Sequence, residues 1–268
     1  MKAYVNVLKY ELKTMLKDPM SIFLLLYPFI MLFFAGYLIP MILKQVSTPT
    51  SQASALTMLI AFIVLLSAGG FVTGGLLGFS FLDNRDENTF LAIAVSPLSI
   101  RGYTIFKTLY TFVISFIGNV VMLGGLVLFA QEAYTITYQT ITIGLLANLT
   151  VWHVLSFSFV ASMVVPFVAM IIVVIAKNKI EGFAFLKASG LFIMIPALML
   201  LDVFQDGKQY ILGVIPTFWP TKALLNVALG TSHPQDLTYF WYLLIGTIYP
   251  LVLSGLAFMI FDRKVLEK

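Results

Sequence analysis

The chain of 268 residues contains no cysteine, which excludes disulfides, thiol catalysis and cysteine-ligated metals. Charge is scarce: Asp, Glu, Lys and Arg together make up 10% of the residues, where a soluble domain carries roughly 25%. There are two histidines, no H-E-x-x-H or EF-hand loop, and no G-x-x-x-x-G-K-[ST] loop that would cradle the phosphates of ATP. No basic cluster tracks a phosphate backbone, so the net charge of +4 does not point to nucleic acid.

What fills the chain instead is apolar: 60% of residues are hydrophobic, 15% are aromatic, and the mean hydropathy is +0.99. An integral membrane protein follows, and a helix crossing about 30 Å of hydrocarbon needs roughly 20 such residues. Residues 20–43, 55–82, 103–130, 150–176, 188–203 and 239–261 meet that length, so the expected fold is all-α with six spans in one transmembrane domain, 1–268. Within 204–238 the stretch "ILGVIPTFWPTKALLNVALG" is apolar but holds Pro216, Pro220, Lys222 and Asn226. Lipid offers no partners for the backbone groups two prolines set free, so a re-entrant extracellular hairpin is expected there rather than a seventh span. Ile141 to Ala176 as a single helix would be about 54 Å long, so its outer part, with Asn148 and His153, is expected to lie at the interface or bend away.

Lys and Arg resist translocation and set orientation. With six spans and the N-terminus inside, thirteen of them fall on the cytoplasmic side, against Lys44, Lys208 and Lys222 outside. Both termini are therefore expected in the cytoplasm. Residues 1–18 read as an amphipathic interfacial helix: Val5, Leu8, Leu12, Met15 and Leu16 form one arc, and Lys2, Lys9, Lys13 and Lys17 reach from the adjoining one toward anionic lipid. Asp18-Pro19 ends it.

Reactive groups inside the spans are few. Ser80 and His153 could suggest an intramembrane serine protease, but they fall near opposite ends of their spans, on the order of 30 Å apart. No ionisable residue falls near a span centre, which disfavours an ion-coupled carrier. Gly70, Gly74 and Gly78 recur every four residues and leave a groove for a neighbouring helix. Pro28, Pro166 and Pro196 interrupt spans one, four and five.

The segment "RDENTFLAIAVSPLSIRGYTIFK", residues 85–107, puts five charges around a short apolar run. Asn88 or Thr89 can cap a short helix and Ser96-Pro97 can stop it. An apolar knob rimmed by charge is what docking on a soluble partner requires. Acid, Asn, Thr, the short apolar helix, "SPLS" and a Lys about ten residues beyond Pro97 resemble the first intracellular loop of type-2 ATP-binding-cassette (ABC) transporter permeases. "IPTFWPTKALLNVALG", residues 215–230, is similar to that family's extracellular helical hairpin before the sixth span, and the resemblance covers the full chain. Asn88 departs from it, since the family more often has Gly there.

The resemblance implies the membrane subunit of an exporter with no catalysis and no cofactor of its own, ATP and Mg being bound by a separate ATPase subunit. Two ATPase copies and a second permease subunit, identical or different, would complete a complex in a bacterial cell membrane. Residues 85–99 would hold the coupling helix, with Asp86, Glu87, Asn88, Thr89, Phe90, Leu91, Ile93, Ser96, Pro97 and Leu98 in contact with the ATPase. Tyr27 with Phe34, and Met194 with Leu198, become candidates for the substrate pathway. Drugs, antimicrobial peptides and lipids all remain possible cargo. The rival readings are an ion-coupled secondary transporter and a non-transporting scaffold or sensor.

Overall fold

Asp18 opens the first membrane helix: its carboxylate accepts the Ser21 N–H at 3.1 Å and the Ser21 hydroxyl at 2.7 Å. Pro19 takes the first helical position, where a missing N–H costs nothing. The computed structural model describes Lys9, Lys13 and residues 16–46, 52–95, 99–138, 141–230 and 233–266. Six helices in it are long and apolar enough to cross a membrane: Ser21–Gln45, Ala53–Asp86, Ile100–Phe129, Val151–Ile175, Lys179–Leu200 and Tyr239–Arg263. The protein is an all-α, multi-pass membrane protein. Of the expected interfacial helix, Lys9 and Lys13 are helical and exposed, Lys17 lies in an exposed turn, and Lys2 falls outside the described residues.

Prolines and caps explain where these helices bend and begin. Pro40 cannot donate to the preceding turn, and residues Phe34–Leu38 relax into a π-helical segment in which the Ile39 N–H reaches back to the Phe34 carbonyl. The hydroxyl of the buried Tyr134 donates to the Ala35 carbonyl at 3.0 Å inside that segment. Tyr134→Phe is expected to leave the carbonyl unsatisfied and to lower stability by about 1–3 kcal/mol, readable as a shift in the thermal unfolding of purified protein. Span four breaks at Met163 into Val151–Ser162 and Val164–Ile175, because Pro166 has no N–H for the Ser162 carbonyl. Upstream, Ile141–Gly144 is no helical extension but a strand, paired antiparallel with Thr135–Tyr138 in a register that sets Thr135 opposite Gly144.

Span five begins at Lys179, nine residues before the expected 188. Asn178 caps it by accepting the Glu181 N–H at 2.9 Å, while the Glu181 carboxylate accepts the Lys177 N–H at 2.8 Å. The earlier start brings Glu181 and Lys187 into the helix.

Spans two and four form the centre. Of their most apolar stretches 50% and 61% are buried, against 17–22% for spans one, five and six. The reason is the glycine stripe. Gly70 lies against the Ala161 backbone carbonyl, Gly74 against Val165 and Val168, and Gly78 against Ile172, so the two helices meet almost backbone to backbone. Hydrogen bonds cross the same region: Thr73 donates to Ser115 at 2.8 Å and Asn119 to Ser162 at 3.1 Å, linking spans two, three and four.

Between spans five and six the chain runs through short 3₁₀ turns at Asp202–Phe204 and Gly207–Val214, then a helix, Phe218–Leu229, closed by Gly230 at φ 64°. This hairpin helix reaches deep. Thr221 lies 3.2 Å, hydroxyl to hydroxyl, from Ser67, which is 14 residues, or about 21 Å, along span two from Ala53. Protein rather than lipid surrounds both prolines, and Pro220 sits in the first helical turn, where the lost N–H has no partner in the helix.

Asp236 ties the hairpin together. Its side chain, 2% exposed, accepts from Gln209 Nε2 at 2.8 Å, Asn226 Nδ2 at 3.1 Å, the His233 N–H at 2.9 Å and the Tyr242 hydroxyl at 3.3 Å, with Lys222 Nζ at 3.3 Å. Burial pushes its pKa up, but the Gln209 and His233 hydrogen bonds and the Lys222 charge more than offset this and hold it below the usual carboxylate value. A depressed folded pKa gives stability that is complete above the unfolded value, about 3.9, and is lost as pH falls further. Asp236→Asn is expected to lower the melting temperature at neutral pH by roughly 5 °C or more, because Lys222 loses its counter-charge. The gap to wild type should narrow in scans taken below about pH 4.

Candidate coupling site

Span two ends in a turn that also starts the next helix. The Glu87 N–H bonds the Asp83 carbonyl at 2.8 Å, Asn88 takes the left-handed conformation at φ 56°, and its carbonyl accepts the Ala92 N–H at 3.2 Å. Asparagine is the residue that most readily replaces glycine in this conformation. Asn88 therefore preserves the turn despite departing from the pattern. The helix that follows, Thr89–Ala94, has only six residues.

So short a helix depends on what it packs against. Phe90 is 5% exposed and lies 6.5 Å from the Phe81 ring, 6.3 Å from Tyr103 and 5.9 Å from Phe261, in an aromatic box contributed by spans two, three and six. Ile93 is buried in the same cluster. Beside the box Lys107 is also buried: its ammonium donates to the Tyr103 hydroxyl at 3.0 Å and the Ser80 carbonyl at 3.4 Å, and lies 5.3 Å from the Phe81 and Tyr103 rings. Asn84 donates to the same Tyr103 hydroxyl at 2.5 Å.

Phe90 and Ile93, expected from the sequence to form a knob on a partner, thus face the protein's own spans. Asp86, Glu87 and Asn88 are exposed, Val95 is 90% exposed, and Thr89 is half-buried. Ser96, Pro97, Leu98 and the Leu91 side chain lie outside the described residues.

Ion pairs and caps fasten the span ends around this helix. Lys179 bridges Asp18 at 3.2 Å and Asp83 at 2.9 Å, joining spans one, two and five. Burial raises the Asp18 pKa, but the Ser21 hydroxyl and Lys179 outweigh it and leave the carboxyl below its ordinary value. Arg85 donates to the last carbonyls of span four, Val173 at 3.3 Å and Ala176 at 2.7 Å, and so caps it. Arg101 forks onto Asp262, closing span three against span six. In the sequence Lys179 reads only as a marker of orientation, and Arg85 and Arg101 also as charges around the short apolar run. The pairing roles of these three residues depend on partners 88 to 161 positions away, Asn178-x-x-Glu181 being the one local signal near them.

The substrate candidates separate. Tyr27 points into the core at 5% exposure, whereas Phe34, Met194 and Leu198 are 45%, 52% and 40% exposed on the outer surface of their helices. Ser80 and His153 stand at opposite ends of the bundle, and His153 instead accepts the Thr150 N–H at 3.1 Å and packs edge-on against Tyr239.

A family model described as fluoroquinolones export permease protein, Rv2686c-like, matches residues 11–258, a range that takes in five complete spans, most of the sixth, the short helix and the hairpin. The chain belongs to this family of export permeases. Two relatives from Mycobacterium tuberculosis, the fluoroquinolones export permease proteins MT2760 of strain CDC 1551 / Oshkosh and Rv2686c of strain ATCC 25618 / H37Rv, are each 26% identical over 207 residues. The alignment covers 77% of this chain and 71% of each relative. Membership agrees with the resemblance carried by the loop after span two and by the hairpin.

Proposed function

We propose that the protein is the membrane subunit of an ATP-driven exporter, energised by a separate ATPase chain that engages the Thr89–Ala94 helix. One observation carries the reading: this helix is locked by Phe90 into a box built from spans two, three and six, while Asp86 and Glu87 stay exposed on its rim. A partner gripping the rim would move three spans through one rigid contact. Two such permeases with two ATPases complete the machine. The end carrying the short helix and both termini faces the cytoplasm, as the distribution of Lys and Arg favours. The names of the relatives point to aromatic, drug-like cargo moving outward.

The test uses inside-out vesicles holding the permease and the ATPase chain that co-purifies with it. ATP should drive norfloxacin, a fluoroquinolone, into the vesicles, and Glu87→Lys should remove the bound ATPase. Uptake driven by a proton or sodium gradient without ATP would overturn the reading in favour of a secondary transporter.

A further inference from the structure

Spans two, four and five do not close against one another at mid-height. A partly open cavity of about 250 Å³ remains, walled by Phe71 of span two, Phe167 and Ile171 of span four, and Phe185 and Phe192 of span five, and capped by Thr217 of the hairpin. Its other polar side chain, Ser189, already donates to the Leu186 carbonyl at 2.9 Å. Thr217 differs. It is 5% exposed, and among the described residues its buried hydroxyl has no hydrogen-bond partner. Buried hydroxyls are nearly always satisfied, so a lone one beside an aromatic-walled space calls for an explanation.

Thr217 also directly precedes the 12-residue hairpin helix Phe218–Leu229. Val214, Ile215, Pro216 and Thr217 all line the cavity, so the helix N-terminus, with its positive dipole end, borders it. Rings of phenylalanine favour a flat aromatic guest; a free hydroxyl at a positive helix end favours an acceptor group on it. We infer that this cavity within one protomer is a binding site for a planar aromatic carboxylate or ketone, its ring between the phenylalanines and its acceptor oxygen at Thr217. At about 250 Å³ it lies just under the range of roughly 300–1,000 Å³ usual for small-molecule pockets, so it holds a bicyclic ring system while the rest of a larger molecule extends through the open side. Its role as a station for cargo rests on the export reading above; binding itself does not.

Full-length protein in nanodiscs is dialysed against 2-naphthoate, with naphthalene as the uncharged control and protein-free nanodiscs subtracted. Saturable naphthoate binding is expected. Thr217→Val should weaken it about tenfold and leave naphthalene unchanged, Thr217→Ser should retain it, and Ile171→Trp should reduce both ligands by filling the space. Absence of saturable binding in wild type, or binding indifferent to Thr217→Val and Ile171→Trp, overturns the site. ATP-driven norfloxacin export is measured in parallel. Naphthoate binding that depends on Thr217, with no export, keeps the site and removes the exporter reading. Export that persists at full rate in Ile171→Trp, without saturable binding, does the reverse.

Discussion

Gly70→Val should abolish the folded protein, seen as loss of the monodisperse peak when detergent extracts are run on a sizing column. A Cβ added at Gly70 would collide with the backbone carbonyl oxygen of Ala161 and come within 3.3 Å of the Val164 Cβ. Where an added group meets the end of a flexible side chain, a rotamer change absorbs it. Here it meets main chain in the most buried pair of helices, so span two would have to withdraw from span four along its length. Overpacking usually costs about 1–3 kcal/mol, and this case belongs above that range because nothing nearby can yield. Opening the helices would also pull Thr73 from Ser115 and Asn119 from Ser162, leaving polar groups unpaired in the interior. Gly190→Ala is the control. Among the described residues no atom lies within 4 Å of a Cβ at that position, so its stability should stay within about 0.5 kcal/mol of wild type.

Phe90→Ala should separate attachment of the ATPase from transport. Removing a buried phenylalanine costs roughly 3–5 kcal/mol in soluble cores, and a six-residue helix has too little of its own to hold position without that ring. The six spans do not pass through Phe90, so the bundle should still assemble, with Phe81, Tyr103 and Phe261 left around a gap. The exposed acids at 86 and 87 remain available to the partner. Co-purified ATPase should therefore stay near wild-type amounts while ATP-driven uptake falls about tenfold or more, a coupling loss of at least 1.4 kcal/mol. Glu87→Lys should give the opposite pattern at the first step, losing the partner itself. If Phe90→Ala instead released the ATPase and Glu87→Lys did not, the apolar face would be the docking surface.

These two positions also show what could be read from the sequence. The glycine spacing at 70, 74 and 78 announced a close helix contact, because residues four apart share one helix face; which helix filled the groove was settled by Ala161, Val168 and Ile172, some 90 residues on. The helix after span two was legible from its caps and its flanking charge. Its facing was not. An apolar side chain on a six-residue helix can turn toward its own protein or away, and the outcome hung on Phe261, at the far end of the chain. Span five was placed late because Glu181 and Lys187 interrupt the apolar run, although Asn178 with Glu181 three residues on is a helix-start signature. The two prolines of the hairpin argued against a span, and the helix there has 12 residues; its depth shows only in Thr221 reaching Ser67.

Asp236 gathers contacts from Gln209 before the hairpin helix, Lys222 and Asn226 on it, and Tyr242 at the head of span six. Shared through a single anion, these pieces are cross-linked, so a tilt of the sixth crossing would load the plug of backbone beside it, and a shift of that plug would load the sixth crossing in return.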